Sequence, residues 1–164
     1  MNRGHSFTPL INPQSRILIL GSLPGMESLR KQQYYAHPRN DFWRIIYKVH
    51  GENFTEDYIL RCEFILTSAL ALWDICGSAE RIGSADDKIA DVKPNDIAEL
   101  LIDYPNIRRI ILNGRKAETE YRRFFGKLII PAVYAPSTSP AFAAMSFEEK
   151  LSAWRNALSF GRRS

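Results

Sequence analysis

The stretch Arg16-Ile17-Leu18-Ile19-Leu20-Gly21-Ser22-Leu23-Pro24-Gly25 decides how this chain is read. Its apolar residues do not alternate with polar ones, and they stop abruptly at a loop of glycine, proline and a hydroxyl residue. A strand that needs apolar side chains on both faces is covered on both faces, which is the signature of a parallel strand inside an α/β sheet. Three further runs share this character: 63–67 (Glu-Phe-Ile-Leu-Thr), 108–114 (Arg-Arg-Ile-Ile-Leu-Asn-Gly) and 128–134 (Leu-Ile-Ile-Pro-Ala-Val-Tyr). Pro131 marks a bend or an edge in the last of them.

Helical patterns fall between these runs. One starts at Asp41 behind Asn40, a good capping residue, and continues through Phe42, Trp43, Ile45 and Ile46. Residues 94–104 open with Pro94 and place Ile97, Leu100, Leu101 and Tyr104 on one stripe. Residues 115–125 end at Gly126, and residues 146–160 begin with the capping-box pair Ser146 and Glu149. Strands alternating with helices predict a three-layer α/β/α sandwich with a short, mainly parallel four-stranded sheet, as a single domain over residues 1–164.

Composition narrows the function classes. The chain has 164 residues, 45% of them hydrophobic and 12% aromatic, which is too apolar for a disordered segment. No apolar run approaches the ~20 residues of a membrane-spanning helix, so no membrane partner is expected. Met1 to Phe7 carry positive charge with no apolar stretch behind it, so no secretory leader is expected either. The expected location is the cytoplasm, at the nucleoid. Twenty-two Lys and Arg against 18 Asp and Glu give a net charge of +4, a modest bias towards an anionic partner. Arg155, Arg162 and Arg163 continue that bias into the C-terminus, where they read as a solvated tail. Two cysteines, Cys62 and Cys76, and three scattered histidines offer no ligand cluster. A metal site is therefore not expected, and reduced thiols are.

In parallel α/β sheets, ligands bind beyond the carboxyl ends of the strands. That rule singles out three loops, 21–40, 113–116 and 135–142. The first opens with Gly21 to Ser28 and could present the backbone N–H groups of Ser22, Leu23 and Gly25 to an anion, although read alone it is first of all a plain strand-to-helix turn. Its continuation, Gln33-Tyr34-Tyr35-Ala36-His37-Pro38-Arg39-Asn40-Asp41-Phe42-Trp43, gathers aromatic faces, an imidazole, a guanidinium and a carboxamide, groups suited to a nucleobase. Phe42 and Trp43 read as core. The third loop, Ala135-Pro136-Ser137-Thr138-Ser139-Pro140-Ala141, holds short hydroxyls between two prolines, either for phosphates or for its own turns.

Taken together, Gly21–Gly25, Tyr35–Trp43, Leu112-Asn113-Gly114 and Pro136–Ala141 resemble, in that order, motifs of the uracil-DNA glycosylase superfamily. The likeness is nearest to its hypoxanthine-DNA (deoxyinosine) glycosylase branch, akin to the mismatch-specific uracil and thymine glycosylases. Ala71-Leu72-Trp73-Asp74-Ile75 and Gly83-Ser84-Ala85-Asp86 are similar to that branch as well. The resemblance implies a monofunctional glycosylase without cofactor that flips a deaminated base, hypoxanthine or uracil, from double-stranded DNA and hydrolyses its glycosidic bond.

The resemblance also implies residue roles. Asn40 corresponds to the catalytic Asn of the hypoxanthine branch, and Ser22 stands where mismatch-specific relatives carry an Asn that positions water. Tyr35 resembles the aromatic on which the flipped base stacks, and Asn113 a position near the lesion pocket. Leu23 and Gly25 would contribute backbone donors to the base. His37, Arg39, Ser137, Thr138, Ser139 and Pro140 are the expected DNA contacts. Ala135 replaces the His or Asn with which relatives often begin the last motif. A carboxamide is a poor general base, so Asn40 is expected to position or donate; Asp41 is a base by type but reads as a helix-dipole partner. A monomer is expected. Two other classes remain open, a non-catalytic DNA-binding protein on this fold and a nucleoside-processing enzyme.

Overall fold

The structure is a computed structural model that describes residues 2–81 and 89–159. The Gly83–Asp86 stretch and the arginines at 162 and 163 lie outside the described residues. In chain order the elements are β1 (Asn2–His5), β2 (Ile17–Gly21), α1 (Met26–Lys31), α2 (Phe42–Val49), α3 (Tyr58–Thr67), β3 (Leu70–Asp74), β4 (Cys76–Arg81), β5 (Ile89–Pro94), α4 (Ile97–Asp103), β6 (Arg109–Asn113), α5 (Arg115–Phe125), β7 (Ala132–Ala135) and α6 (Phe147–Leu158).

The main sheet runs β3-β2-β6-β7, and each adjacent pair is parallel. Side chains on successive strand residues point to opposite faces, and this sheet uses both directions. Ile19, Leu72 and Ile111 face a cluster with Phe42, Ile45 and Ile46 of α2, Ile65 of α3 and Trp154 of α6. Leu18, Leu20, Ile110 and Leu112 face the other way, onto Ile97 and Leu100 of α4 and Ala117 and Tyr121 of α5. The expected three-layer sandwich is what the chain forms.

Two strands differ from the sequence reading. Residues 63–67 are not a strand but the last turns of α3, and the strand beside β2 is Leu70–Asp74. A short apolar run has the same composition in a buried strand and a buried helix; here the decision lies upstream, where Asp57 accepts from the Leu60 amide at 3.2 Å and starts a helix. Ala69, with φ of 60°, then turns the chain back into the sheet. The fourth strand is shorter than 128–134: it starts only after Pro131, and Ile129 is fully exposed. A second, three-stranded antiparallel sheet, β1-β4-β5, was not legible in the sequence.

The helix starts are closer to expectation. Ser146 and Glu149 form the capping box at α6. The helix at 94–104 begins later, with Asp96 accepting from the Glu99 amide. At α2 the cap position belongs to Asp41, whose side chain makes no capping bond. Asn40 nevertheless satisfies a free helix N–H, its Oδ1 accepting from the Phe42 amide at 2.9 Å.

A cleft at the carboxyl ends of the parallel strands

The carboxyl ends of β2, β3 and β6 open into a cleft of about 740 Å3. Every residue expected in the site lines it except Arg39, which is exposed outside the lining. The tertiary fold thus brings 21–25, Tyr35, His37, Asn40, Asn113 and the 137–140 loop to one place.

The first loop extends β2. Beyond the strand, the carbonyls of Gly21 and Ser22 accept from the amides of Ile75 and Cys76 at 2.8 and 2.9 Å. The backbone N–H groups of Ser22, Leu23 and Gly25 donate to no group among the described residues, so they are available to a ligand. Gly21 is required for space: a Cβ here would lie 2.7 Å from Asp74 Oδ1 and 3.3 Å from the Tyr35 hydroxyl.

Tyr35 sits in the left-handed region, φ 54°, an uncommon conformation for a bulky residue and one that concentrates at functional sites. Its ring stacks on Phe42 with centroids 4.0 Å apart. Its hydroxyl is buried without a hydrogen bond of ordinary geometry; burial pushes its pKa upward, the Asp74 carboxyl adds to the effect and the nearby Asn113 side chain opposes it. Ser28 Oγ accepts from the Ala36 amide at 3.1 Å and holds this segment against α1.

Asn40 follows a tight turn, its amide donating to the His37 carbonyl at 2.9 Å. With Oδ1 engaged by Phe42, its Nδ2 remains a free donor among the described residues. His37 Nδ1 accepts from the Arg39 amide at 3.1 Å, which places the ring proton of a neutral imidazole on Nε2. Asp41 is not available as a base: Oδ1 pairs with Arg44 at 3.1 Å and Oδ2 with Lys150 at 3.3 Å.

The third loop is built from within. Ser137 Oγ accepts from the Ser139 amide and Ser139 Oγ from the Ala141 amide, both at 3.2 Å. Thr138, expected to face DNA, is instead 1% exposed and clamped by Asn113. Asn113, expected near the base, spends both ends of its carboxamide on that clamp. Gly114, with φ 96°, lets the loop approach, since a Cβ there would meet Ser137 Cβ at 3.0 Å.

Sequence reasoning gave no role to three groups. Asp74, at the end of β3, lines the cleft with a side chain that is almost wholly buried; burial raises its pKa to about 7, and Oδ2 has no partner. An unpaired buried polar atom of this kind costs about 1–3 kcal/mol. Its signal in the sequence was a lone acid closing the apolar run Leu70–Trp73. Arg115 lines the same cleft with its guanidinium 4.0 Å above the Tyr134 ring. Lys150, buried at the base of α6, joins Asp41 to the Phe142 carbonyl, to which it donates at 2.9 Å. Among the described residues there is no group of three or more His, Cys, Asp or Glu able to hold a metal ion.

A parallel sheet, free backbone donors, a carboxamide and a stacked tyrosine at its carboxyl edge can receive a planar heterocycle and stabilise charge on it. Known proteins match this chain in sequence and in fold. The family described as Uracil DNA glycosylase superfamily matches residues 8–158. A hypoxanthine DNA glycosylase of Methanosarcina acetivorans is 40% identical over 136 residues, 82% of this chain and 85% of that protein. The protein of the same description from Methanosarcina barkeri is 41% identical over 112 residues, 68% of this chain and 71% of that one. A solution NMR structure from Methanosarcina acetivorans, described as a candidate uracil DNA glycosylase, superposes with a TM-score of 0.81 at 35% identity, covering 96% of this chain and 99% of the other. With its fold and nearly its whole length matched by these relatives, the chain belongs to the uracil DNA glycosylase superfamily.

Proposed function

We propose that this DNA glycosylase flips a deaminated base, hypoxanthine or uracil, out of double-stranded DNA into the cleft and hydrolyses the bond to the sugar. The observation that carries the reading is the convergence at one strand edge of the Asn40 Nδ2 and the backbone N–H groups of Ser22, Leu23 and Gly25, none bonded among the described residues. Cleavage breaks the glycosidic C–N bond and sends its electron pair into the leaving base, while positive character builds on the sugar. Water adds its oxygen to the sugar carbon and releases a proton to solvent, and the freed base takes one up. Donors fixed in advance around the base stabilise that charge; a single lost donor of this type typically costs about 100-fold or more in rate.

Tyr35 offers the ring on which the base rests, and Asn40 acts as a donor to base or water, not as a proton acceptor. Arg39, Arg115 and the surface of the 137–140 loop meet the backbone phosphates. The enzyme acts as a monomer of one domain, at the nucleoid, and draws on no cofactor.

Labelled duplexes containing deoxyinosine, deoxyuridine or no lesion are incubated with the protein and the abasic sites cleaved with alkali, with free nucleosides assayed in parallel. Strand scission confined to the lesion duplexes is expected. Tight binding without scission, or activity on free nucleosides alone, overturns the reading.

A further inference from the structure

Residues 6–10 form a strap along the outer edge of β3. Leu10 and Leu72 exchange two backbone hydrogen bonds at 2.9 Å, so the strap runs antiparallel to β3, and its earlier residues lie towards the end of β3 that opens into the cleft. Three successive residues are pinned there. The Ser6 amide donates to the Gly77 carbonyl at 3.0 Å, the Phe7 carbonyl accepts from Trp73 Nε1 at 2.9 Å, and the Thr8 carbonyl accepts from the Tyr34 hydroxyl at 3.0 Å. A backbone held this way fixes where the Phe7 ring stands. The ring meets Tyr34 edge to face, with centroids 5.1 Å apart and planes at 88°.

Phe7 and Tyr34 stand between two cavities. One is the 740 Å3 cleft; the other, of about 430 Å3, is lined by Thr8, Leu10, Gln32 and Tyr58, and both rings line each of the two. Tyr34 is the fixed half of this partition. It is buried, its amide donates to the Tyr58 hydroxyl at 3.0 Å, and its carbonyl accepts from Trp43 Nε1 at 2.9 Å. Phe7 is half-buried, and its ring carries no polar anchor. We propose that the Phe7 ring is the wall that limits how long a base the cleft accepts. Hypoxanthine fits in front of it, and a base lengthened by one more fused ring does not.

The physical basis is steric. A flat base resting on Tyr35 cannot bend away from a wall in its own plane, and an aromatic ring packed edge to face yields only by leaving its rotamer. The space behind the wall already exists, so a smaller side chain at position 7 joins the two cavities. The strap survives that change, because the bonds that pin it at residues 6, 7 and 8 use backbone groups and not the Phe7 side chain.

The inference rests on the glycosylase reading, and the test separates the two. The probe is a duplex carrying lin-benzohypoxanthine, in which a benzene ring is inserted between the two rings of hypoxanthine; the base is longer and keeps its carbonyl and ring N–H. Single-turnover release of this base and of hypoxanthine is measured for the natural protein, Phe7→Ala, Phe7→Leu and Leu10→Ala, with folding checked by circular dichroism. The natural protein is expected to release hypoxanthine at least about tenfold faster than the lengthened base, the scale on which an apolar pocket discriminates by bulk. Phe7→Ala is expected to shift the ratio of the two rates at least about tenfold towards the lengthened base. Phe7→Leu keeps an apolar contact with Tyr34 and is expected to shift the ratio in the same direction, which covers an alanine variant that does not fold. Leu10→Ala removes apolar bulk from the same strap on the side of the second cavity alone, and the ratio is expected to stay as in the natural protein. A Phe7 that only packs the strap would slow both bases alike. Equal release of both bases by the natural protein, a ratio unmoved by the Phe7 variants, or the same shift in Leu10→Ala overturns this inference while leaving the glycosylase reading standing. A natural protein that releases neither base overturns both.

Discussion

Asn113 and Thr138 hold each other by both ends of a carboxamide: Nδ2 donates to the threonine Oγ1 at 3.0 Å, and Oδ1 accepts the threonine amide at 3.1 Å. The Thr138 carbonyl then accepts from the Asp41 amide at 3.0 Å. The end of β6, the 137–141 loop and the start of α2 are thereby joined in series, so the loop has its position set relative to Asn40.

Asn113→Ala is therefore expected to lower stability by about 1–3 kcal/mol, the cost of leaving buried groups of Thr138 unpaired. Thr138→Val, which loses the hydroxyl alone, is expected to cost about 1 kcal/mol. Both should weaken binding to an undamaged duplex, as read by fluorescence anisotropy. An Asn113→Ala protein with unchanged urea midpoint and unchanged duplex affinity, yet slow base release, would instead assign this carboxamide to the base.

Gly21→Ala forces a methyl against the Asp74 carboxyl and the Tyr35 hydroxyl. Overpacking of this kind costs about 1–3 kcal/mol, and the displaced Asp74 should slow base release at least ~10-fold. Normal release rates on both lesion duplexes would show that the floor of the cleft yields without consequence.

Asn40→Asp preserves the acceptor that takes the Phe42 amide and removes the free Nδ2 donor. It is expected to unfold at nearly the natural midpoint and to excise hypoxanthine about 100-fold more slowly. Asn40→Ala loses the acceptor as well and should add about 1 kcal/mol of destabilisation. Excision at the natural rate by Asn40→Asp would make Asn40 a helix cap and nothing more.

Asp74 also couples stability to pH. Its folded pKa, about 7, lies above that of an exposed aspartate, so the folded state holds a proton that the unfolded chain has already lost. The stability associated with that proton is fully present below about pH 4 and is lost as pH rises through about 7. Relative to Asp74→Asn, the natural protein should lose at most roughly 4 kcal/mol across this window, with no further relative change above it. Parallel stability curves for the two proteins from pH 4 to 8 would contradict the buried-acid assignment.

Lys150→Met removes the buried ammonium that joins Asp41 to the Phe142 carbonyl. Arg44 remains on Asp41, so the loss is partial, and a destabilisation of about 1–3 kcal/mol is expected. Duplex affinity should fall with it if the 137–140 loop meets the backbone as proposed, because Phe142 follows directly on that loop. An unchanged melting temperature would mean that Arg44 alone holds this corner.

The sequence by itself determined the sheet's character and the chain segments around its cleft. Unalternating apolar runs at 17–20 and 110–112 can be satisfied only by cover on both faces, and the loops that follow these strands line the cleft. The capping pair Ser146 and Glu149 was equally legible, because a cap is a contact between residues three apart. Local pattern failed where local patterns coincide. Phe64-Ile65-Leu66 suits a buried helix as well as a buried strand, and the choice fell to Asp57 and to the pairing of Leu70–Asp74 with β2. Only the tertiary structure decided what Asn113, Thr138 and Asp74 do. Asn113 lies 25 residues from the threonine it clamps. Asp74 is an ordinary acid in the sequence; its raised pKa and its orphaned oxygen come from burial against Gly21 and Tyr35, neighbours brought there by parallel pairing of strands distant in the chain.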